Sequence, residues 1–210
     1  VWHSVASEDV SPVLDFLADR LKVQQREAGV RHDLIDAVFA LGEEDDLVRL
    51  LARVKALQSF VETEDGENLL AGYKRAANIL KKEDWQPEPA DAALEQTGEE
   101  DPLALAGKPE FDAALMAANA PVRAYTPEPA EQALIDALTN AKPQAAAAID
   151  EERFKDAMAA LATLRAPIDR FFEEVTVNDP QADKREARLA LLGQFRDAVH
   201  QVADFSRIEG

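Results

Sequence analysis

Apolar residues in this chain recur at spacings of three and four between one helix signal and the next, and no alternating apolar and polar run of useful length interrupts them. That period places side chains on one face of a helix, whereas a half-buried strand needs a period of two. The chain is therefore predicted to be all-α, a bundle whose helices each bury one stripe. With 47% hydrophobic residues in 210, there is enough apolar material for a core without covalent staples. There are no cysteines, which removes disulfides and thiolate chemistry and points to a reducing compartment, the cytoplasm. No apolar run approaches a membrane span, so a membrane partner is not expected. The opening Val1-Trp2-His3-Ser4 resembles neither a signal peptide nor a natural initiator, and suggests a fragment or processed chain.

Ser11-Pro12 suits an N-cap and first helical position, and Leu14, Leu17 and Leu21 continue the stripe towards a stop near Gly29. "RHDLIDAVFALG" repeats the pattern with Leu34, Ile35, Val38 and Leu41 before Gly42. "DDLVRLLARVKALQSFV" starts from an aspartate cap, and the loop "ETEDGEN" is expected to separate it from "NLLAGYKRAANILKK". In that last segment Leu69, Tyr73, Ala76 and Leu80 form the apolar line, with Lys74, Asn78 and Lys81 on another face and Arg75 and Lys82 beside them. From Glu83 to about Ala124, prolines and acids replace the periodic pattern, which reads as a surface insertion. Helical signals resume at Thr126-Pro127 through "AEQALIDALTNA" and "DEERFKDAMAALATLRAPIDRFFEEV", where Pro167 should kink or interrupt the run. "NDPQAD" is a turn, and Leu189, Leu192, Phe195, Val199 and Val202 mark a final helix. The predicted domain spans 9–210, with 83–124 as a partly flexible acidic insertion.

Forty-one acidic residues against 23 Lys and Arg give a formal net charge of −18, a poor composition for a nonspecific polyanion binder. It leaves room for a local cationic site, and Leu69–Lys82 holds Tyr73, Lys74, Arg75, Asn78, Lys81 and Lys82 with no carboxylate. His3, His32 and His200 lack metal-ligand spacing, and no glycine-rich phosphate loop, nucleophile elbow or nucleophile and base pair is present. His32-Asp33 reads better as helix-start polarity than as half of a metal-dependent hydrolase site. No catalysis and no cofactor are assigned to this chain.

Four blocks, "VRHDLIDAVFAL", "GYKRAANIL", "LRAPIDRFFEEVTVN" and "REARLALLGQF" followed by "ADFSRI", resemble in order and spacing the C-terminal region of the β subunit of bacterial heterotetrameric glycyl-tRNA synthetase. That region ends in a helical anticodon-binding domain of the DALR type. The resemblance covers about Leu14 to Ile208 and is weakest from Glu83 to Ala124. It implies a tRNA-binding, non-catalytic part of an aminoacyl-tRNA ligase, with ATP and Mg used by a separate α subunit. It also implies glycine tRNA, the rest of the β subunit and the α subunit as partners, and no DNA. The family commonly has asparagine before the arginine corresponding to Arg188; here that position is Ala187, so any tRNA contact by that asparagine is lost.

Glycine anticodons share cytosines at their second and third positions. Cytosine pairs a hydrogen-bond donor with acceptors, so it suits Asp, Glu or a carbonyl beside Arg, Lys or Asn. Tyr73, Arg75 and Asn78 could supply a stacking plane, a forked donor and an amide, while Lys74 and Lys81 hold phosphates. Tyr73 suits a core position equally well, and Lys81 and Lys82 also complement the helix dipole. Arg31 and His32 precede a helix and could reach phosphate or serve as capping and solvation. Lys184, Arg185 and Arg188 are expected as a basic turn opposite the apolar face of the last helix, for RNA or simply for solvent. The competing class is a helical module that docks synthetase subunits without reading RNA.

Overall fold

A computed structural model describes residues 20–27, 29–42, 46–86 and 125–209. Residues 20–27 are helical and lead to Gly29, which takes a positive φ of 85° as the expected terminator does. Then come α1 (His32–Phe39), α2 (Leu47–Val61), α3 (Glu64–Lys82), α4 (Pro129–Asp150), α5 (Phe154–Ala162), α6 (Arg165–Glu174), α7 (Ala182–His200) and a 3-10 turn at Phe205–Arg207. No strand occurs among the described residues, and no helix among them is long and apolar enough to cross a membrane. The start near Ser11 and the segment 87–124 lie outside the described residues.

The helices pack as a bundle in which α3 lies against α7 and α6, α4 against α5, α6 and α7, and α2 against α5 and α1. Leu34, Ile35, Leu57, Leu69, Leu134, Leu161, Ile168, Phe171, Phe195 and Phe205 are fully buried, so the predicted stripes converge on one core. The last helix behaves as its spacing predicts: Leu189, Leu192, Phe195 and Val199 are buried, and buried Val202 follows just past the helix end.

Several boundaries differ from the sequence reading. "ETEDGEN" is mostly helix: only Glu62 and Thr63 separate α2 from α3. Thr63 accepts from the Gly66 amide at 3.1 Å and donates to the Phe60 carbonyl at 2.6 Å, and the acids Glu64, Asp65 and Glu67 sit in the first turn, where the helix dipole favours them. The tightness of that turn depends on Gly66, since a Cβ there would stand 2.0 Å from the Phe60 carbonyl oxygen. α4 starts at Pro129, not at Pro127, because Glu128 takes the N-cap position and leaves Pro129 at the first turn. The same helix runs on through Pro143, which lies on the exposed side, where loss of one backbone bond is least costly. The break expected at Pro167 falls at Thr163-Leu164, and Pro167 occupies the first turn of α6, where its missing N–H is harmless.

Past α3, Trp85 rests on α7 directly over Gly193, where a Cβ would meet the indole at 2.3 Å, and Arg196 lies 5.7 Å from its ring. The turn after α3 is thereby held against the bundle, and the start of the acidic segment is fixed at that point.

Candidate nucleic-acid interface

The second half of α3 is fixed by its inner face. Leu69, Tyr73, Ala76 and Leu80 are buried, so the 100° step per residue turns Arg75, Asn78, Lys81 and Lys82 to solvent, with Lys74 partly covered. Arg75 is held in place: its guanidinium lies 4.3 Å from the centre of the Phe172 ring on α6 and donates to the Phe172 carbonyl at 3.4 Å. Beside this pair is a surface groove of about 310 Å³, walled by Arg75, Ile79, Lys82 and Glu83 on α3 and by Phe172 and Val175–Asn178 on the other side. Across it, Asn178 Nδ2 donates to Glu83 Oε1 at 3.3 Å. Arg75, Asn78, Lys81 and partly covered Lys74 thus share one outward surface, as their spacing predicts.

Tyr73 is corrected from a stacking plane to a core residue. It is 2% exposed, its ring stacks on His200 with centroids 5.4 Å apart, and its hydroxyl lies 2.5 Å from His200 Nε2. Burial, with Asp204 adding to it, pushes the phenol up to about 12, so it stays neutral and can donate. The aromatic beneath the cationic surface is Phe172 instead. The signal was the adjacent Phe171-Phe172: neighbours on a helix point 100° apart, so one can fill the core while the other faces the groove.

Arg188 is corrected as well. Arg185 is exposed and Lys184 sits 5.8 Å from the Tyr125 ring, but Arg188 is fully buried. Its guanidinium donates to Glu128 at 2.6 Å, the Thr176 carbonyl at 2.8 Å, Asp179 at 3.0 Å and Glu131 at 3.4 Å. Glu131 is itself fully buried and also accepts from the Tyr125 hydroxyl. Burial opposes the charge on Arg188, but hydrogen bonding to Glu128 and the field of both glutamates outweigh it and raise its pKa. The expected turn opposite the apolar face is wrong because Arg188 continues the stripe: Arg188, Leu192, Phe195 and Val199 follow steps of four, three and four. Its work is to pin the 176–179 loop, one wall of the groove.

Arg31 and His32 stand elsewhere, at the start of α1. Arg31 pairs through both nitrogens with Asp33 and donates to the Glu209 carbonyl at 2.5 Å, while Asp33 accepts from the Glu209 amide at 2.9 Å. Burial would raise the Asp33 pKa, but hydrogen bonds from Arg31 and the Glu209 amide bring it below the ordinary carboxylate value. This lock ties the last residues to α1, with Arg31 still 43% exposed and His32 exposed. The predicted set therefore divides among the outer face of α3, the start of α1, the first turn of α7 and two core positions. No group of three potential metal-ligating residues occurs among the described residues.

Residues 69–205 match the DALR anticodon binding domain. The chain is 47% identical over 199 residues, 94% of its length, to the glycine-tRNA ligase beta subunit of Phenylobacterium zucineum (strain HLK1), of which this covers 25%. It is 48% identical over 198 residues, again 94% of its length, to that of Rhodospirillum centenum (strain ATCC 51521 / SW), covering 24%. A third relative, the same subunit of Ruegeria sp. (strain TM1040), is 42% identical over 202 residues, which is 96% of this chain and 26% of the relative. The chain thus spans about a quarter of the length of the curated relatives it matches.

Proposed function

The chain belongs to the DALR anticodon-binding domain family, and from that premise we propose that it is the anticodon-reading part of a glycine-tRNA ligase β subunit. The observation that carries this reading is the outward surface of α3, where Lys74, Arg75, Asn78, Lys81 and Lys82 gather beside the Arg75 and Phe172 pair. Lysines there are suited to phosphate oxygens, Asn78 to a base edge, and Arg75 to a base splayed from the loop. The chain's own task is binding and discrimination. Aminoacylation belongs in this reading to a separate α subunit, which would use ATP and Mg, with the rest of the β subunit as a further partner in the cytoplasm.

Excess acid elsewhere on the surface is compatible with that task. It repels RNA approaching in other orientations and leaves the α3 surface as the place of contact. The test is binding to a glycine anticodon stem-loop, against the same loop with both shared cytosines changed to uracil, at two salt concentrations. The reading requires preference for the cytosines and a log–log salt slope of about −0.7 for each phosphate held in a single-stranded segment.

A second reading has one observation in its favour. Val48 is 77% exposed and Val23 is 48% exposed, and a shallow apolar hollow beside them is lined by Leu21, Leu47, Val48 and Leu51. Such a surface suits docking to another subunit. Binding that is indifferent to anticodon sequence and nearly indifferent to salt would favour it over RNA reading.

A further inference from the structure

We propose that the groove between the end of α3 and the 175–178 loop is a subsite for one amino-bearing base of the anticodon loop, which in a glycine anticodon is cytosine, stacked at Arg75 and read at its edge by Glu83 and Asn178. This subsite rests on the RNA-binding reading above and adds the identity of the groups that discriminate.

The groove has the composition a base needs. Its sides are apolar where Ile79, Phe172 and Val177 line it, and Arg75, held over Phe172, is still exposed and offers a guanidinium plane on which a base can stack. Its polar end is asymmetric. Glu83, the first acid after the cationic strip, can only accept, and Asn178, which already bonds to it at 3.3 Å, supplies amide donors. In that bond Glu83 keeps its second carboxylate oxygen and Asn178 its second N–H. Cytosine brings an amino donor beside a ring-nitrogen acceptor, which matches an oxygen of Glu83 and an N–H of Asn178. Uracil presents a carbonyl and a ring N–H at the same two places, so both contacts become repulsive.

The loop wall is also set in advance. Buried Arg188 donates to the Thr176 carbonyl at 2.8 Å and to Asp179 at 3.0 Å, and the Asp179 amide bonds to the Val177 carbonyl at 3.0 Å. A base entering the groove has little backbone to order, which preserves affinity.

The experiment compares this chain with Glu83→Gln, Asn178→Asp and Arg75→Lys, using stem-loops that carry uracil at one or the other of the two shared cytosine positions. All three residues are exposed, and thermal midpoints on the same samples verify the fold. The unaltered chain should prefer cytosine about tenfold at each position, and Glu83→Gln and Asn178→Asp should each reduce that preference to about twofold at one position only. Arg75→Lys keeps the charge but loses the plane, and should weaken cytosine and uracil loops alike by about tenfold. If the chain discriminates and both edge variants retain full preference at both positions, the subsite is overturned while the RNA reading stands. If the chain binds no stem-loop, the RNA reading falls and the subsite falls with it.

Discussion

The Tyr73 hydroxyl needs a neutral imidazole at His200 to accept its proton, and the surroundings of His200 favour that form. Burial lowers the His200 pKa below 6.5 more strongly than Asp204, 3.7 Å away, raises it. A histidine whose folded pKa lies below its unfolded one contributes stability that is present above the unfolded value and lost as pH falls through the folded value. The thermal midpoint should therefore drop between pH 7 and pH 5 more steeply in the unaltered chain than in His200→Gln. A parallel pair of curves would assign the loss to other groups. Tyr73→Phe should cost about 1 kcal/mol, a shift of roughly 2–4 °C for a chain of this size, with stem-loop affinity unchanged. Arg188→Met would leave Glu131 buried and uncompensated, at a cost of about 3–5 kcal/mol, and adding Glu131→Gln should recover part of the loss in chemical denaturation. Both positions show how far residue type misleads. A tyrosine and an arginine in basic segments suggest RNA, but each continues the apolar spacing of its helix, and the spacing decided the outcome.

At the level of elements, the stripe predicts existence and inward face well, because burying a contiguous apolar line is what stabilises a helix within a bundle. Ends depend on local chemistry that the stripe does not report. The segment "ETEDGEN" reads as polar loop, yet Thr63 caps α3, its acids favour the helix start, and Gly66 allows the close approach of α2. Gly66→Ala should accordingly cost about 3 kcal/mol, the upper end for overpacking, measured as a lower denaturation midpoint with unchanged slope. A midpoint within experimental error of the unaltered chain would mean that the turn can open without cost. Pro127 and Pro129 illustrate the same limit, since either suits a first turn and only the placement of Glu128 at the cap selects between them. The groove was not legible at all from the sequence. It joins Arg75 to Phe172 and Glu83 to Asn178, pairs separated by more than ninety positions, as |i−j| of 97 and 95 records. Only packing of α3 on α6 brings them together.

For the whole molecule, the family was legible because its four blocks lie in order along the chain, while the distribution of charge required the fold. A formal charge of −18 coexists with a cationic helix face because the two occupy different surfaces. Removing residues 86–104 should leave both the thermal midpoint and stem-loop affinity nearly unchanged, and a large loss of either would give that acidic stretch a structural or binding role. The central claim, that the outer face of α3 reads the anticodon, is tested most directly with Asn78→Ala and Arg75→Ala. Asn78 is exposed and should weaken stem-loop binding without moving the midpoint. Arg75 also covers Phe172, so its loss should lower stability slightly, by about 0.5–1 kcal/mol. The deciding measurement is the dissociation constant of each variant for the cytosine stem-loop, taken with thermal midpoints on the same samples. The account predicts a loss of affinity of about tenfold in both, with the midpoint held in Asn78→Ala; unchanged affinity in both variants would contradict it.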